Sequence, residues 1–174
     1  MEESDYVSES TRAAAFRLKW DVFLSFRGEG TGNNFTDLLY DSLFSNEIRV
    51  FRDNDGMNWG DEISPSSLEA MEDSAAVVAV ISPNYASSQR CLEELARICE
   101  LRKLLLPVFF QVDPSDVRRQ KGPFKEAIEG LEAKCGVEKV KRWRNAMERT
   151  GGISGCVYNS WLTLSLSNIH MEKR

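Results

Sequence analysis

The chain contains a single histidine, His170, which lies near the C-terminus. Serine–histidine, cysteine–histidine and histidine–metal sites each need an imidazole within hydrogen-bonding reach of the reacting group inside the fold. One histidine at the end of the chain argues against most of these schemes. Any catalysis by this chain would therefore depend on carboxylates, hydroxyls or backbone groups.

Closely spaced cysteines are also missing. The four cysteines include no C-x-x-C pair, which argues against a zinc clip and against a dithiol redox site. We therefore expect no metal site and a reduced chain in the cytoplasm, with the nucleus as a further compartment. The four positions are Cys91, Cys99, Cys135 and Cys156.

The sequence has neither an excess of positive charge nor a long apolar run. Its net charge is −5 and its isoelectric point is about 5.1, which argues against nucleic acid as a partner. No apolar run reaches the roughly 18 residues that a membrane span needs, so we expect no membrane partner. Residues 1–18 are polar and mixed in charge, without the apolar core of a secretory signal, and we expect them to form a flexible lead.

The chain does have a regular alternation of apolar and amphipathic segments. Its 174 residues suffice for one domain of ordinary size. Apolar runs separated by helical patterns are typical of a parallel sheet covered on both faces, so the sequence predicts a doubly wound α/β fold. The predicted strands are 20–26, 48–51, 75–82 and 104–112, and the predicted helices are 34–46, 64–73, 88–103, 121–134 and 137–149. The pattern leaves a fifth strand unplaced.

Ligands of open α/β sheets bind beyond the carboxyl ends of the strands, where the strand order reverses. In a sheet of order 2-1-3-4-5 this point lies between the first and third strands. The segments "SFRGEG" (25–30) and "SPNYASS" (82–88) follow these two strands, and the second leads into a helix with adjacent carboxylates, Glu93 and Glu94. The sequence therefore predicts a ligand site near the start of this helix.

Helical periodicity separates the two glutamates. Neighbouring residues of a helix are rotated by about 100°, so Glu93 and Glu94 cannot both face one ligand. Glu93 is predicted to lie on a solvated face, whereas Glu94 interrupts an apolar stripe that includes Cys91 and Ile98. Periodicity alone does not decide whether Glu94 is catalytic. It favours an ordinary ion pair of Glu94 at the rim with Arg90 or Arg97, since most helix carboxylates are exposed.

Two other patterns give weaker evidence for a function. The stretch "FRGEGTGNNF" follows a strand, but Asn33 stands where a dinucleotide-binding fingerprint needs its third glycine, so an oxidoreductase has little support. A basic cluster surrounds Trp143 and is interleaved with glutamates, which is typical of a solvated face, with Trp143 itself in the core or an interface. The cluster consists of Lys139, Lys141, Arg142 and Arg144.

Four stretches carry a more specific pattern: "WDVFLSFRGEGTG" (20–32), "GDEISPSSLEAMEDS" (60–74), "SPNYASSQRCLEEL" (82–95) and "PVFFQVDPSDVRRQKGPF" (107–124). Together they resemble the TIR (Toll/interleukin-1 receptor) domain at the N-terminus of plant disease-resistance receptors. The resemblance runs in order over about residues 18–158. It implies a flavodoxin-like sheet of order 2-1-3-4-5, with a TIR domain at 19–158 between the lead and a tail at 159–174.

The resemblance implies an NAD⁺ nucleosidase, that is, an NAD⁺ glycohydrolase. Such an enzyme cleaves nicotinamide from ribose and yields ADP-ribose or cyclic and adenylated signalling products. NAD⁺ would be the substrate, and no further cofactor is implied. The family's catalytic glutamate matches Glu94, with Arg27 suited to the pyrophosphate, Ser88 near the nicotinamide ribose and Trp59 in a loop that gates the site. The implied binding residues are Phe26, Arg27, Gly28, Ser88 and Trp59.

The implied partners are other TIR domains, in homo- or hetero-oligomers, and immune signalling proteins that respond to the products. The chain departs from the family pattern at Arg90, where tryptophan is usual, and at Gly30 and Gly32, where an acidic and a basic residue are usual. It also ends without a nucleotide-switch module, as a TIR-only protein or a truncated receptor would. These departures keep an alternative open, in which a weak or inactive TIR domain serves only as an interaction module.

Overall fold

The computed structural model describes residues 18–28, 32–53 and 60–159. Within them, a parallel sheet of five strands has the order β2-β1-β3-β4-β5. The strands are β1 Trp20–Phe26, β2 Val50–Arg52, β3 Ser74–Ile81, β4 Leu104–Phe110 and β5 Cys156–Tyr158. The predicted doubly wound α/β fold and its strand order are confirmed.

Helices connect the strands and cover both faces of the sheet. Helix α1 packs on one face of the sheet, against Val22 and Leu24 of β1. Helices α2, α3 and α6 pack on the other face. The helices are α1 Gly32–Ser45, α2 Pro65–Glu72, α3 Gln89–Glu100, α4 Pro114–Arg119, α5 Pro123–Cys135 and α6 Val137–Gly151, with a 3₁₀ turn at Tyr85–Ser87. Helix α4 is absent from the sequence-based prediction, and β5 supplies the strand that the apolar pattern left unplaced.

Strands β1 and β3 are mostly apolar because each of their faces meets a different core. Val22 and Leu24 of β1 point to the core under α1, whereas Phe23 points to the larger core that contains Trp143. Strand β3 lies between β1 and β4 and pairs Val77 with Phe23. Successive side chains of a strand alternate between faces, so a strand buried on both has no polar period.

The loop that connects β2 to α2 ends at a helix cap. Ser64 is the N-cap of α2, its hydroxyl accepts a hydrogen bond from the Ser67 N–H at 3.1 Å, and Pro65 is the first helical residue. Proline suits this position because it has no backbone N–H, and an N–H at this position would have no partner inside the helix. Trp59 of the same loop lies outside the described residues.

No helix in residues 18–28, 32–53 or 60–159 combines the length and the apolar character that a membrane span requires.

Gly151 lies where α6 closely approaches α4. A Cβ atom at this position would lie 2.4 Å from the backbone nitrogen of Arg118 and 2.7 Å from its Cα. Such distances require a backbone shift, so we expect Gly151→Ala to lower the free energy of unfolding by about 1–3 kcal/mol.

Gly130 provides the matched control, because a Cβ there would meet nothing within 4 Å and the residue lies in the exposed part of α5. Gly130→Ala should raise the free energy of unfolding by about 0.5–1 kcal/mol through helix propensity. Urea unfolding of both variants measures the difference. Equal stability of the two variants would mean that α4 and α6 do not approach as closely as the structure has them.

Candidate functional site

The ends of β1 and β3 lie side by side, as their pairing of Phe26 with Val80 requires. Arg27 follows β1, and its Nη1 donates a hydrogen bond to the carbonyl oxygen of Asn84 at 3.0 Å. This bond connects the segment after β1 to the segment after β3. The two segments that the sequence assigned to one site therefore do meet.

Ser88 begins helix α3. It is the N-cap residue, and its hydroxyl accepts a hydrogen bond from the Cys91 N–H at 3.2 Å. The cap satisfies one of the backbone donors that have no partner inside the helix. It also sets the direction in which α3 leaves the sheet, and so the position of Glu94 two turns later.

Glu94 is buried beneath the end of β1, with 3% of its surface exposed. Its Oε2 accepts a hydrogen bond from the Ser25 hydroxyl at 2.8 Å. The Ser25 hydroxyl lies 2.9 Å from the Tyr85 hydroxyl, which in turn donates to the Cys91 carbonyl oxygen at 3.2 Å. The carboxylate thus belongs to a buried polar chain that joins β1, the 3₁₀ turn and α3.

Two charged residues flank Glu94 on its other side. Arg90 Nε lies 3.9 Å from Glu94 Oε1, and Arg90 Nη1 lies 3.7 Å from Asp53 Oδ2. Asp53 Oδ2 also accepts a hydrogen bond from the Ser67 hydroxyl at 2.8 Å. The order of charges is therefore carboxylate, guanidinium and carboxylate.

These surroundings determine the ionisation of Glu94. Burial raises the pKa of Glu94 to about 7, and the nearby charge of Asp53 acts in the same direction. The hydrogen bond from Ser25 and the charge of Arg90 act against this shift and lower the pKa. Burial has the largest effect because removal from water penalises the charged form. Near neutral pH, Glu94 therefore exists in both its protonated and its ionised form.

The pairing that periodicity favoured is only partly present. Glu94 does pair with Arg90, but Glu94 is buried and Arg90 is partly buried, so the pair does not lie at a solvated rim. Arg97 instead pairs with Glu72 at 3.4 Å and with Glu100 at 3.7 Å.

The prediction of a solvated Glu93 is confirmed only in part. Glu93 accepts hydrogen bonds from the Trp143 indole at 2.9 Å and from Arg142 at 3.0 Å, and 27% of its side chain is exposed. These contacts attach α6 to α3, which gives Glu93 a structural role. Trp143 is fully buried in the core, one of the two positions expected for it.

Two further predicted binding residues, Phe26 and Gly28, lie at the carboxyl end of β1. Phe26 is half-buried, and the Arg52 guanidinium lies 5.1 Å from the centre of its ring. Gly28 is exposed, and a Cβ there would meet nothing within 4 Å. Trp59 lies outside the described residues, so only Phe26, Arg27, Gly28, Ser88 and Glu94 can be compared with the fold.

Sequence reasoning missed three residues that surround Glu94, namely Ser25, Tyr85 and Asp53. A signal for Ser25 does exist, since it is a buried polar residue in the otherwise apolar run "VFLSF". Asp53 contacts the site only through the packing of the chain after β2 against α3. No local pattern reports that contact.

Two cavities lie elsewhere on the molecule. One, of about 360 Å³, lies between α2, α3 and α6 and is lined by Glu93 and Trp143 but not by Glu94. Another, of about 440 Å³, is mostly apolar and lies between α1 and β4. Neither contains the buried carboxylate. In the described ranges, no three side chains of histidine, cysteine, aspartate or glutamate are grouped in a way that could hold a metal ion.

Comparison with known proteins agrees with the fold. The disease resistance protein RPV1 of Vitis rotundifolia is 46% identical over 152 residues, which cover 85% of this chain and 11% of that protein. A probable 2′ cyclic ADP-D-ribose synthase of Brachypodium distachyon, BdTIR, is 36% identical over 113 residues, which cover 65% of this chain and 50% of that protein. The chain thus spans about a tenth of RPV1 and half of BdTIR.

A solved structure supports the same assignment. The TIR domains of the activated Roq1 resistosome, which directly recognises the pathogen effector XopQ, superpose with a TM-score of 0.74 at 36% identity, covering 88% of this chain and 99% of theirs. The family model described as the TIR domain matches residues 19–167. The chain belongs to the TIR domain family, and its relatives include plant disease resistance proteins.

Proposed function

We propose that this chain is an NAD⁺ nucleosidase of plant immune signalling, with Glu94 as its catalytic residue. The observation that carries the proposal is the buried carboxylate of Glu94, held by Ser25 and Arg90 at the carboxyl ends of the central strands. A carboxyl group with a raised pKa at the carboxyl ends of parallel strands is a candidate catalytic group. The name of the relative BdTIR, a probable 2′ cyclic ADP-D-ribose synthase, supports the substrate class.

The reaction needs one carboxylate and no general acid. The bond between the ribose C1′ and the nicotinamide nitrogen breaks, and its electron pair neutralises the charge of the leaving pyridinium ring. Positive charge develops on the ribose, and an ionised Glu94 beside it would stabilise that charge. Water then bonds to C1′ and releases a proton to give ADP-ribose, or a hydroxyl of the same molecule attacks and closes a cyclic product.

The other predicted residues would bind the substrate. Arg27 and the backbone N–H groups that follow it suit the pyrophosphate, since a guanidinium can form bidentate hydrogen bonds with phosphate oxygens. Ser88 would lie near the nicotinamide ribose, and Phe26, Gly28 and Trp59 would line the rest of the site.

Self-association is part of the proposal. Glu94 is 3% exposed, so a substrate can reach it only after the surrounding segments rearrange. The matching TIR domains belong to an assembly described as an activated resistosome, which supports contact with other TIR domains as the activating step. We infer a role in the cytoplasm or nucleus, with signals passed on to immune proteins through small-molecule products.

The test is nicotinamide release from NAD⁺ by the purified chain over a series of protein concentrations. Activity that depends on association should rise more steeply than linearly with protein concentration. Sedimentation of the same samples would show whether the rise coincides with oligomers. A folded, associating protein that releases no nicotinamide at any concentration would overturn the proposal.

A second candidate is a TIR domain that binds other TIR domains without turnover. The ion pair of Glu94 with Arg90 and its low exposure favour this candidate, because both oppose access to the carboxylate. The concentration series separates the two functions. Association without turnover is the expected result for an interaction module.

A further inference from the structure

Arg90 stands on α3 one helical turn before Glu94 and faces it. The side chain is 17% exposed, and it lies at ion-pair distance from two carboxylates that come from different parts of the chain, Glu94 at 3.9 Å and Asp53 at 3.7 Å. A cation in this position favours the ionised form of each carboxylate.

The contacts of Arg90 are electrostatic and not close hydrogen bonds. Its Nε is buried and has no hydrogen-bond partner among the described residues. Distances of 3.7 and 3.9 Å exceed the range of a good N–H···O bond, but a charge in a poorly solvated site still acts strongly over them. Asp53 is held in place by the Ser67 hydroxyl at the start of α2, so the negative charge opposite Arg90 is fixed.

The other titratable groups near Glu94 are neutral near pH 7. Tyr85, from the 3₁₀ turn, has a pKa raised well above its ordinary value by burial. Burial raises the pKa of the Cys91 thiol to about 12. Among the described residues whose charges act on Glu94, Arg90 is therefore the cation and Asp53 the anion. The charge of Glu94 depends on the balance between these two.

We propose that Arg90 is a positioning residue for the reaction: it favours the ionised form of the Glu94 carboxylate, and Asp53 limits how strongly it does so. This inference rests on the proposed NAD⁺ nucleosidase activity. It gives a role to the arginine that stands where related sequences were expected to have tryptophan. Replacement of Arg90 should therefore impair the reaction through the charge of Glu94 and not only through packing.

The experiment measures the titration of the Glu94 carboxyl carbon by NMR in the wild-type chain and in variants. Arg90→Met removes the cation and should raise the pKa of Glu94 by about one unit. Asp53→Asn removes the competing anion and should lower it. Opposite shifts are the distinguishing result, because general loosening of the site would move both variants in the same direction.

Two variants serve as controls. Arg90→Lys keeps a cation at the position and should leave the Glu94 pKa close to that of the wild type. Arg97→Met removes an arginine of the same helix that pairs with Glu72 and Glu100, and should not shift Glu94. Should Arg90→Met fail to fold, Arg90→Gln also removes the cation and should raise the pKa of Glu94 in the same way.

Turnover is measured on the same variants across pH. The acid limb of the pH profile of nicotinamide release should move with the pKa of Glu94. The rate of Arg90→Met should therefore be about fivefold below that of the wild type at pH 7 and should recover at higher pH. An unchanged Glu94 pKa in folded Arg90→Met, or an acid limb that does not move with it, would overturn the role of Arg90 while leaving the activity intact. A wild-type chain without turnover would instead remove the proposed activity, and the NMR titration would still report the effect of Arg90 on Glu94.

Discussion

Glu94→Gln should abolish nicotinamide release from NAD⁺, with a loss of at least ~10²-fold in turnover. Glutamine has nearly the shape of glutamate and can still accept the hydrogen bond that Ser25 donates at 2.8 Å. What it lacks is the negative charge. A loss of this size would therefore measure how far the charge of Glu94 stabilises the transition state.

Glu93→Gln is the matched control, since the two residues are adjacent and the change is the same. Glu93 accepts bonds from Trp143 and Arg142 on the far side of α3, so its replacement should affect the packing of α6 and leave the turnover close to that of the wild type. Thermal unfolding of both variants would verify that they are folded. Full turnover by Glu94→Gln would rule out Glu94 as the catalytic residue, and an equal loss in folded Glu93→Gln would show that the effect is not specific to Glu94.

Most of the sheet could be predicted from the sequence because β1 and β3 are buried on both faces, and β4 is also an apolar run although Leu104 and Leu106 are exposed. Strands β1, β3 and β4 are long apolar runs, and these stand out in any sequence. Strand β5 does not, since it has three residues at the edge of the sheet and is largely exposed. Helix α4 is also too short for a helical period, although Asp113 and Pro114 form a cap of the usual kind at its start.

The candidate site illustrates what periodicity can and cannot predict. The stripe around Glu94 was correctly predicted, because Cys91 and Ile98 beside it are fully buried. Periodicity did not predict the contact of Glu93 with Trp143, which lies 50 residues further along the chain. A helical pattern reports which residues share a face, but not which other element covers that face.

The burial of Glu94 should also make the stability of the domain depend on pH. The pKa of Glu94 is about 7 in the folded chain, above an ordinary value of 4.5 that applies when the chain is unfolded. Well below pH 4.5 the side chain is protonated in both states and makes no pH-dependent contribution to the free energy of unfolding. As the pH rises from 4.5 to 7, the unfolded chain releases this proton and the folded chain retains it, so the free energy of unfolding falls. The loss amounts to about 3 kcal/mol once Glu94 is ionised in both states.

Glu94→Gln should remove this dependence, because glutamine stays neutral at every pH. Urea unfolding of both proteins from about pH 5 to about pH 8 gives the difference in free energy of unfolding, in which the groups common to both proteins largely cancel. The difference should shift in favour of the variant by up to about 3 kcal/mol as the pH rises. A constant difference would mean that Glu94 is as well solvated in the folded chain as in the unfolded one. A rising difference, together with lost turnover in the same variant, would show that the carboxylate required for the reaction is one that the isolated domain holds at a cost in stability.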